Sequence, residues 1–102
     1  MSSPGIDAFL FDDENEEKGA AHGLSLRQVS EILENIHLIL RNRKRRRGLY
    51  LVIGRDNSGI CIAVPVEATH RATLWRPITA WPCKPQERAL LERRGKQNER
   101  ET

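Results

Sequence analysis

Two short aliphatic runs constrain the fold of this chain more than any other feature of its sequence. The runs Leu49–Ile53 and Ile60–Val64 are five residues each, far below the roughly twenty that a membrane-spanning helix needs. Between them, residues 56–59 read DNSG, a composition typical of a tight turn. The sequence therefore predicts two strands, Leu49–Gly54 and Ile60–Val66, joined as a β-hairpin.

Helical and strand patterns place the other elements around this hairpin. A first helix, Glu14–His22, follows two aspartates that favour a helix start, and Gly23 ends it. A second helix begins after Ser25, because Ser25 and Gln28 have the spacing of a capping box. A last helix opens at Pro85, and three further strands are predicted at Phe9–Phe11, His37–Asn42 and Arg71–Ala80. The expected fold is α+β, with the helices on one face of the sheet. Two N-terminal helices are expected to pack on a four-stranded antiparallel sheet, with a short N-terminal strand and a short C-terminal helix.

The chain has 102 residues, enough for one domain with one core. We assign that domain to residues 9–94, with a flexible tail at 1–8 and a polar tail at 95–102. Cys61 lies in an apolar strand pattern and forms no CxxC motif with Cys83, so a buried, reduced thiol is the preferred interpretation of Cys61. The acidic N-terminus has no apolar run that would serve as a secretory signal, so we expect a cytoplasmic protein that does not enter a membrane.

Charge is distributed unevenly along the chain. Residues 1–17 contain six acids and no Lys or Arg, whereas residues 18–102 carry all seventeen bases against eight acids, a local net charge of +9. Six of the seven positions 41–47 are basic: Arg41, Arg43, Lys44, Arg45, Arg46 and Arg47. Such a run contacts phosphates without sequence specificity, and the basic bias of the domain favours a nucleic acid or an acidic partner. A solvated loop that binds nothing in particular is the alternative.

The chain also carries two blocks of short motifs. The first block has an aromatic strand at Phe9–Phe11, then DDEN at 12–15, Lys18, and HGLS at 22–25. The second block has YLVIGR at 50–55, NSG at 57–59, WRPITA at 75–80 and an ER pair at 87–88. In order and spacing over about residues 9–94, these motifs resemble the BrnT family, the toxin halves of bacterial type II toxin–antitoxin pairs.

The resemblance implies a RelE-like fold and a ribonuclease that works without a metal or any other cofactor. It also implies a cognate antitoxin with a ribbon-helix-helix DNA-binding domain as partner. Three positions depart from the family: Trp81 stands where Arg is frequent, Leu91 where Tyr is common, and Lys18 where His or another polar residue is frequent. These departures keep a second hypothesis open, a non-catalytic nucleic-acid- or antitoxin-binding protein on the same fold.

Metal-independent RNA cleavage uses the 2′-hydroxyl of the substrate as nucleophile, so the protein must move protons and offset charge on the phosphate. His22 is the candidate acid and base, because histidine is the residue type that titrates near neutral pH. Lys18 lies one helical turn earlier on the same face, where it would stabilise charge beside His22. The alternative for His22 is that it only caps or packs the end of its helix.

Two strand arginines are candidates for holding the phosphate. Arg55 ends the strand before the hairpin turn, and Arg76 lies within the last predicted strand. Guanidinium groups bind phosphate bidentately, but an ion pair with an acid of the first helix is an equally weighted alternative. Trp81, next to Pro82, is expected at an interface rim and is the candidate contact for the antitoxin.

Overall fold

The hairpin predicted from the two aliphatic runs forms the middle of the sheet. The structure is a computed structural model that describes residues 5–42 and 49–101. Within these residues the helices are α1 (Asp13–Ala21), α2 (Leu26–Glu31) and α3 (Pro85–Glu101). The strands, in chain order, are β1 (Ala8–Phe9), β2 (His37–Arg41), β3 (Tyr50–Arg55), β4 (Cys61–Ala68), β5 (Leu74–Pro77) and β6 (Trp81–Pro82). The expected α+β class is confirmed. None of the helices in this described part of the chain has both the length and the apolar character needed to cross a bilayer.

The sheet differs from the expected four-stranded antiparallel one. Across the described residues it has six strands, in the order β1-β5-β4-β3-β2, with β6 also beside β4. β1 runs parallel to β5, whereas the other pairs are antiparallel. The prediction is therefore wrong in the number of strands and in the direction of one edge pairing.

Within the predicted strand Arg71–Ala80 the structure forms only β5 (Leu74–Pro77), and the extra strand β6 (Trp81–Pro82) begins just after its predicted end. The register sets three residues, 78–80, opposite two residues of β4, 64–65, which is a bulge. Pro65 lies opposite this bulge, and its carbonyl accepts a hydrogen bond from the Ile78 N–H at 2.9 Å. β6 is two residues long and contains a proline, which is disfavoured within strands, so the sequence pattern does not reveal it.

Both faces of the central strands are covered. On β3, Val52 belongs to an apolar cluster with Ile32 at the end of α2, whereas Leu51 and Ile53 belong to a second cluster with Leu91 of α3. Successive residues of a strand point to opposite faces, so α2 and α3 cover opposite faces of the sheet. The prediction of helices on one face is therefore wrong for α3. Coverage of both faces explains why the central strands are continuously apolar rather than alternating.

As the sequence predicts, N-cap residues begin the first two helices, and a glycine follows the end of the first. Asp12 caps α1, since its side chain accepts the Asn15 N–H while the Asn15 side chain accepts the Asp12 N–H, both at 2.9 Å. Ser25 forms the same reciprocal pair with the third residue of α2. Gly23 has a φ of +79°, the left-handed conformation that turns the chain out of α1. His22 is thereby the C-cap of α1.

Cys61 and Cys83 are joined by a disulfide, so the interpretation of Cys61 as a reduced thiol is wrong. Cys83 directly follows β6, and the pairing of β6 with β4 brings the two Cα atoms to 5.2 Å. The sequence does not reveal this contact, because it depends on the bulge that separates β5 from β6. Disulfides are rare in reducing compartments, so a cytoplasmic location stays a prediction.

Candidate functional site

The N-terminal end of α1 is fixed to the sheet by a buried amide. The Asn15 side chain donates hydrogen bonds to the carbonyls of Leu10 at 3.0 Å and Pro77 at 3.1 Å. Asn15 is 4% exposed, so these bonds are shielded from water. The bonds tie α1 to the ends of β1 and β5, and thereby set the position of its other end, where Lys18 and His22 lie.

Arg76 adds ion pairs to this anchor. Its guanidinium contacts three carboxylates, those of Asp12 at 2.7 Å, Glu67 at 2.9 Å and Glu14 at 3.5 Å. Hydrogen bonds from the Asn15 N–H and from Arg76 lower the pKa of Asp12. The bond to Asp12 in turn raises the pKa of Arg76. Of the two roles considered for this arginine, the structure places it in an ion pair with acids at the start of α1.

A cleft of about 590 Å³ opens between the C-terminal end of α1 and β6, and we call it the α1–β6 cleft. Its apolar lining is Ala21, Pro65 and Ile78, and its polar and aromatic lining is Lys18, His22, Asn42, Thr79, Trp81 and Lys84. The volume lies in the range of ligand-binding pockets. The cleft therefore brings together three residues predicted from separate parts of the sequence, namely Lys18, His22 and Trp81.

The described residues that line the α1–β6 cleft include no Asp or Glu. Lys18 forms an ion pair with Glu14 at 3.0 Å, but exposed pairs between residues four apart contribute little and exchange readily. Lys84 makes no ion pair with a described residue, and its Nζ lies 5.7 Å from the centre of the Trp81 ring. The cleft therefore presents cations to a ligand, which suits an anionic one.

His22 stands where it can meet such a ligand. Its side chain lines both the α1–β6 cleft and an adjoining recess of about 510 Å³ shared with Trp81, Pro82 and Lys84. The residue is exposed, and its backbone N–H is used to close the last turn of α1. His22 thus both caps its helix and offers an accessible imidazole, which a proton-transfer role requires.

Trp81 is held in place by Glu87 of α3. One carboxylate oxygen of Glu87 accepts hydrogen bonds from the Trp81 indole N–H at 3.0 Å and from the Lys84 backbone N–H at 2.8 Å. Glu87 is 5% exposed, so both bonds are shielded. Its position, three residues after the N-cap Lys84, is that of the acid in a capping box. That spacing was the available sequence signal for Glu87, whereas nothing local in the sequence pointed to Lys84.

Arg55 lies apart from the α1–β6 cleft. Its guanidinium donates hydrogen bonds to the Gly59 carbonyl at 3.2 Å and to Glu92 at 3.4 Å. It lines a different pocket, of about 610 Å³, together with Asn35 and Asp56. The structure therefore does not bring Arg55 together with His22.

The basic run begins beside the α1–β6 cleft. Arg41 is exposed at the end of β2 and lines a small recess of about 210 Å³ together with Lys84. Asn42, the next residue, lines the cleft itself. The remaining bases of the run (Arg43, Lys44, Arg45, Arg46 and Arg47) lie outside the described residues. The chain therefore enters the run from the edge of the cleft.

No three of the His, Cys, Asp and Glu side chains in the described part of the chain are grouped in a way that could hold a metal ion. Comparisons of the chain with protein-family models, with curated proteins and with solved structures found no match.

Proposed function

We propose that this protein is a metal-independent ribonuclease toxin of a bacterial type II toxin–antitoxin pair, with a RelE-like fold of the BrnT type. The observation that carries the proposal is the α1–β6 cleft, in which His22, Lys18 and Lys84 meet without an acid among the described lining residues. The motif resemblance and the basic run, whose first residue Arg41 lies beside the cleft, support the same conclusion.

In the proposed mechanism, the 2′-hydroxyl of the RNA attacks the neighbouring phosphorus and displaces the 5′-oxygen of the next nucleotide. His22 takes the proton from the 2′-hydroxyl or delivers one to the leaving oxygen, and water makes the other of these two transfers; a group such as His22 contributes roughly 10²- to 10⁴-fold in rate. Lys18 and Lys84 offset the charge that develops on the phosphate oxygens. Lys18 reaches the phosphate by exchanging its weak pair with Glu14 for the stronger anion.

Arg55 and Arg76 have no direct part in this mechanism. Arg76 is engaged by three carboxylates, so its contribution is to hold α1, and thus Lys18 and His22, against the sheet. Arg55 lines a different pocket. Lys84, which sequence patterns did not indicate, replaces them as the second cation at the phosphate.

RNA is recruited by the basic run that starts at Arg41. Each phosphate that a cation neutralises adds about 0.7 to the salt slope of single-strand affinity. Neutralising Arg43, Lys44, Arg45 and Arg46 together should therefore flatten that slope. The matched control neutralises four bases that do not line the cleft, namely Arg27, Arg71, Arg93 and Arg94. Equal salt slopes of RNA affinity in the two variants would show that the run is not part of the RNA-binding surface.

A cognate antitoxin with a ribbon-helix-helix domain is the proposed protein partner, and it neutralises the toxin by covering the α1–β6 cleft. Trp81 is half-buried at the edge of this cleft, a suitable anchor for a partner segment. The product of the neighbouring reading frame should therefore suppress RNA cleavage and should bind the Trp81→Ala variant more weakly. A neighbouring product that binds without affecting cleavage contradicts this part of the proposal.

The direct test is cleavage of total RNA in EDTA by the wild-type protein and by His22→Ala. His70→Ala is the matched control, because His70 is an exposed histidine in the loop between β4 and β5. We expect cleavage by the wild type and the control, and a loss of at least about 100-fold in His22→Ala. RNA binding without cleavage above the His22→Ala background would favour the second hypothesis, a non-catalytic nucleic-acid-binding protein.

A further inference from the structure

We infer that Trp81 and Lys84 form a binding site for one unpaired nucleobase and its phosphate, so that the α1–β6 cleft takes single-stranded rather than duplex RNA. The inference rests on the proposed function for the identity of the polymer. Beyond that function, the inference names single-stranded RNA as the substrate class and Trp81 as the residue that selects it. Trp81 is also one of the positions at which the chain departs from the BrnT motif pattern, so the resemblance does not supply this role.

The Trp81 ring is fixed before any ligand arrives. Its indole N–H donates to Glu87, which is buried, and the ring packs against the apolar cluster that contains Cys83 and Leu91. The disulfide to Cys61 holds the same segment to β4. A ring restrained by a hydrogen bond and by packing loses little conformational entropy when a ligand stacks on it.

The same ring remains open to ligands. Trp81 is only half-buried and lines both the α1–β6 cleft and the recess shared with His22 and Lys84. Lys84 is exposed, and its ammonium lies 5.7 Å from the ring centre. The ammonium lies over the ring, and since Lys84 is exposed and makes no ion pair with a described residue, it moves aside to the phosphate when a base stacks on the ring. An aromatic surface with a nearby cation is the combination that single-strand-binding proteins present to a base and its phosphate.

The charge of the surroundings suits RNA as the occupant when no antitoxin covers the cleft. The described lining of the cleft and of the recess contains Lys18, His22 and Lys84 and no acid. A base in a duplex is stacked on both sides and cannot reach an indole in a recess, whereas unpaired bases stack on aromatic side chains. The site therefore selects for RNA whose base next to the bound phosphate is unpaired.

The test measures binding rather than cleavage, so that its outcome does not depend on the proposed catalysis. The probes are a fluorescein-labelled, fully 2′-O-methylated RNA of about 12 nucleotides, within the usual site size, and the same strand annealed to its complement. The 2′-O-methyl groups remove the nucleophile. The variants are Trp81→Leu, Trp81→Phe and the matched control Phe11→Leu, since Phe11 is a half-buried ring outside the cleft.

We expect Trp81→Leu to weaken single-strand binding by about 5- to 100-fold, the range that base–aromatic stacking provides. Trp81→Phe and Phe11→Leu should stay close to the wild-type Kd, and duplex binding should be the same in all four proteins. Unchanged single-strand binding in Trp81→Leu overturns the inference. An equal loss for single strand and duplex overturns it too, because stacking on an unpaired base would then not be the cause.

A second measurement decides the matter if Trp81→Leu does not fold. Unlabelled 2′-O-methyl RNA should quench tryptophan emission in the wild type but not in Trp81→Phe, whose remaining Trp75 is buried. No quenching in the wild type overturns the inference. If the wild type binds and is quenched but cleaves no RNA, the stacking site stands and the proposed ribonuclease activity fails. If the wild type cleaves RNA but its tryptophan emission is not quenched, the stacking site fails and the proposed ribonuclease activity stands.

Discussion

Replacing Glu87 by alanine should weaken both the fold and the site, because one buried oxygen holds two elements together. That oxygen accepts the Trp81 indole N–H at 3.0 Å and the Lys84 backbone N–H at 2.8 Å. A hydrogen bond to a charged group contributes about 1.5–3 kcal/mol, and loss of a helix cap costs about 1 kcal/mol. The indole is half-buried, so its N–H can donate to water in the variant, which offsets part of the lost free energy. We therefore expect Glu87→Ala to lower the free energy of unfolding by about 2–4 kcal/mol.

Urea unfolding followed by circular dichroism measures this loss, and thermal unfolding should show a fall in Tm of roughly 10–20 °C for a chain of this size. Glu87→Gln is the matched control, since its amide oxygen can accept the same two bonds without the charge. We expect Glu87→Gln to lose about half as much as Glu87→Ala, since neutral bonds are about half as strong. Tryptophan emission should shift to the red in Glu87→Ala only. An alanine variant as stable as the wild type, or a glutamine variant as damaged as the alanine one, would refute this account of Glu87.

Three further predictions concern stability. Asp56 is 3% exposed, and although burial raises its pKa, hydrogen bonds from the hairpin turn and α2 outweigh this and lower it. Its stabilisation is therefore complete above the unfolded-state pKa and lost as pH falls below about 4. Asp56→Asn should be less stable by about 1–3 kcal/mol at pH 7, and urea unfolding should show a smaller loss on acidification than in the wild type. Reducing the Cys61–Cys83 disulfide, which closes a loop with a sequence separation of 22, should cost about 3 kcal/mol. A double alanine variant at these two positions should show no response to reductant. Arg76→Met should cost about 1–2 kcal/mol and should speed amide exchange in α1 more than in α3, and equal exchange in the two helices would contradict its anchoring role.

Local signals in the sequence predicted local structure well. The DNSG turn set the β3–β4 hairpin, because turn residues between two aliphatic runs act over only a few positions. The caps at Asp12 and Ser25 and the glycine after α1 followed for the same reason. Lys18 and His22 also lie near each other by a local rule, since residues four apart share a helix face.

What the sequence did not predict depends on register between distant strands. The bulge opposite Pro65 lies within the last predicted strand and sets β6, just beyond its predicted end, beside β4, and this pairing brings Cys83 to Cys61. The same register brings Trp81 to His22, although each had been singled out separately. The sequence leaves the role of Arg76 open, because the partners of a strand arginine depend on tertiary structure. The approach of α1 to β5 brings it Asp12 and Glu14, and the β4–β5 register brings it Glu67.

The central claim is that His22 in the α1–β6 cleft catalyses attack by the 2′-hydroxyl of RNA, and the chemistry of the product ends tests it most directly. Mass spectrometry of a short RNA incubated in EDTA should detect 2′,3′-cyclic phosphate and 5′-hydroxyl ends with the wild type and with His70→Ala. These ends should be absent with His22→Ala and when the nucleotide at the cleavage site lacks its 2′-hydroxyl. Products with 5′-phosphate ends, or the same products from His22→Ala, would contradict the account.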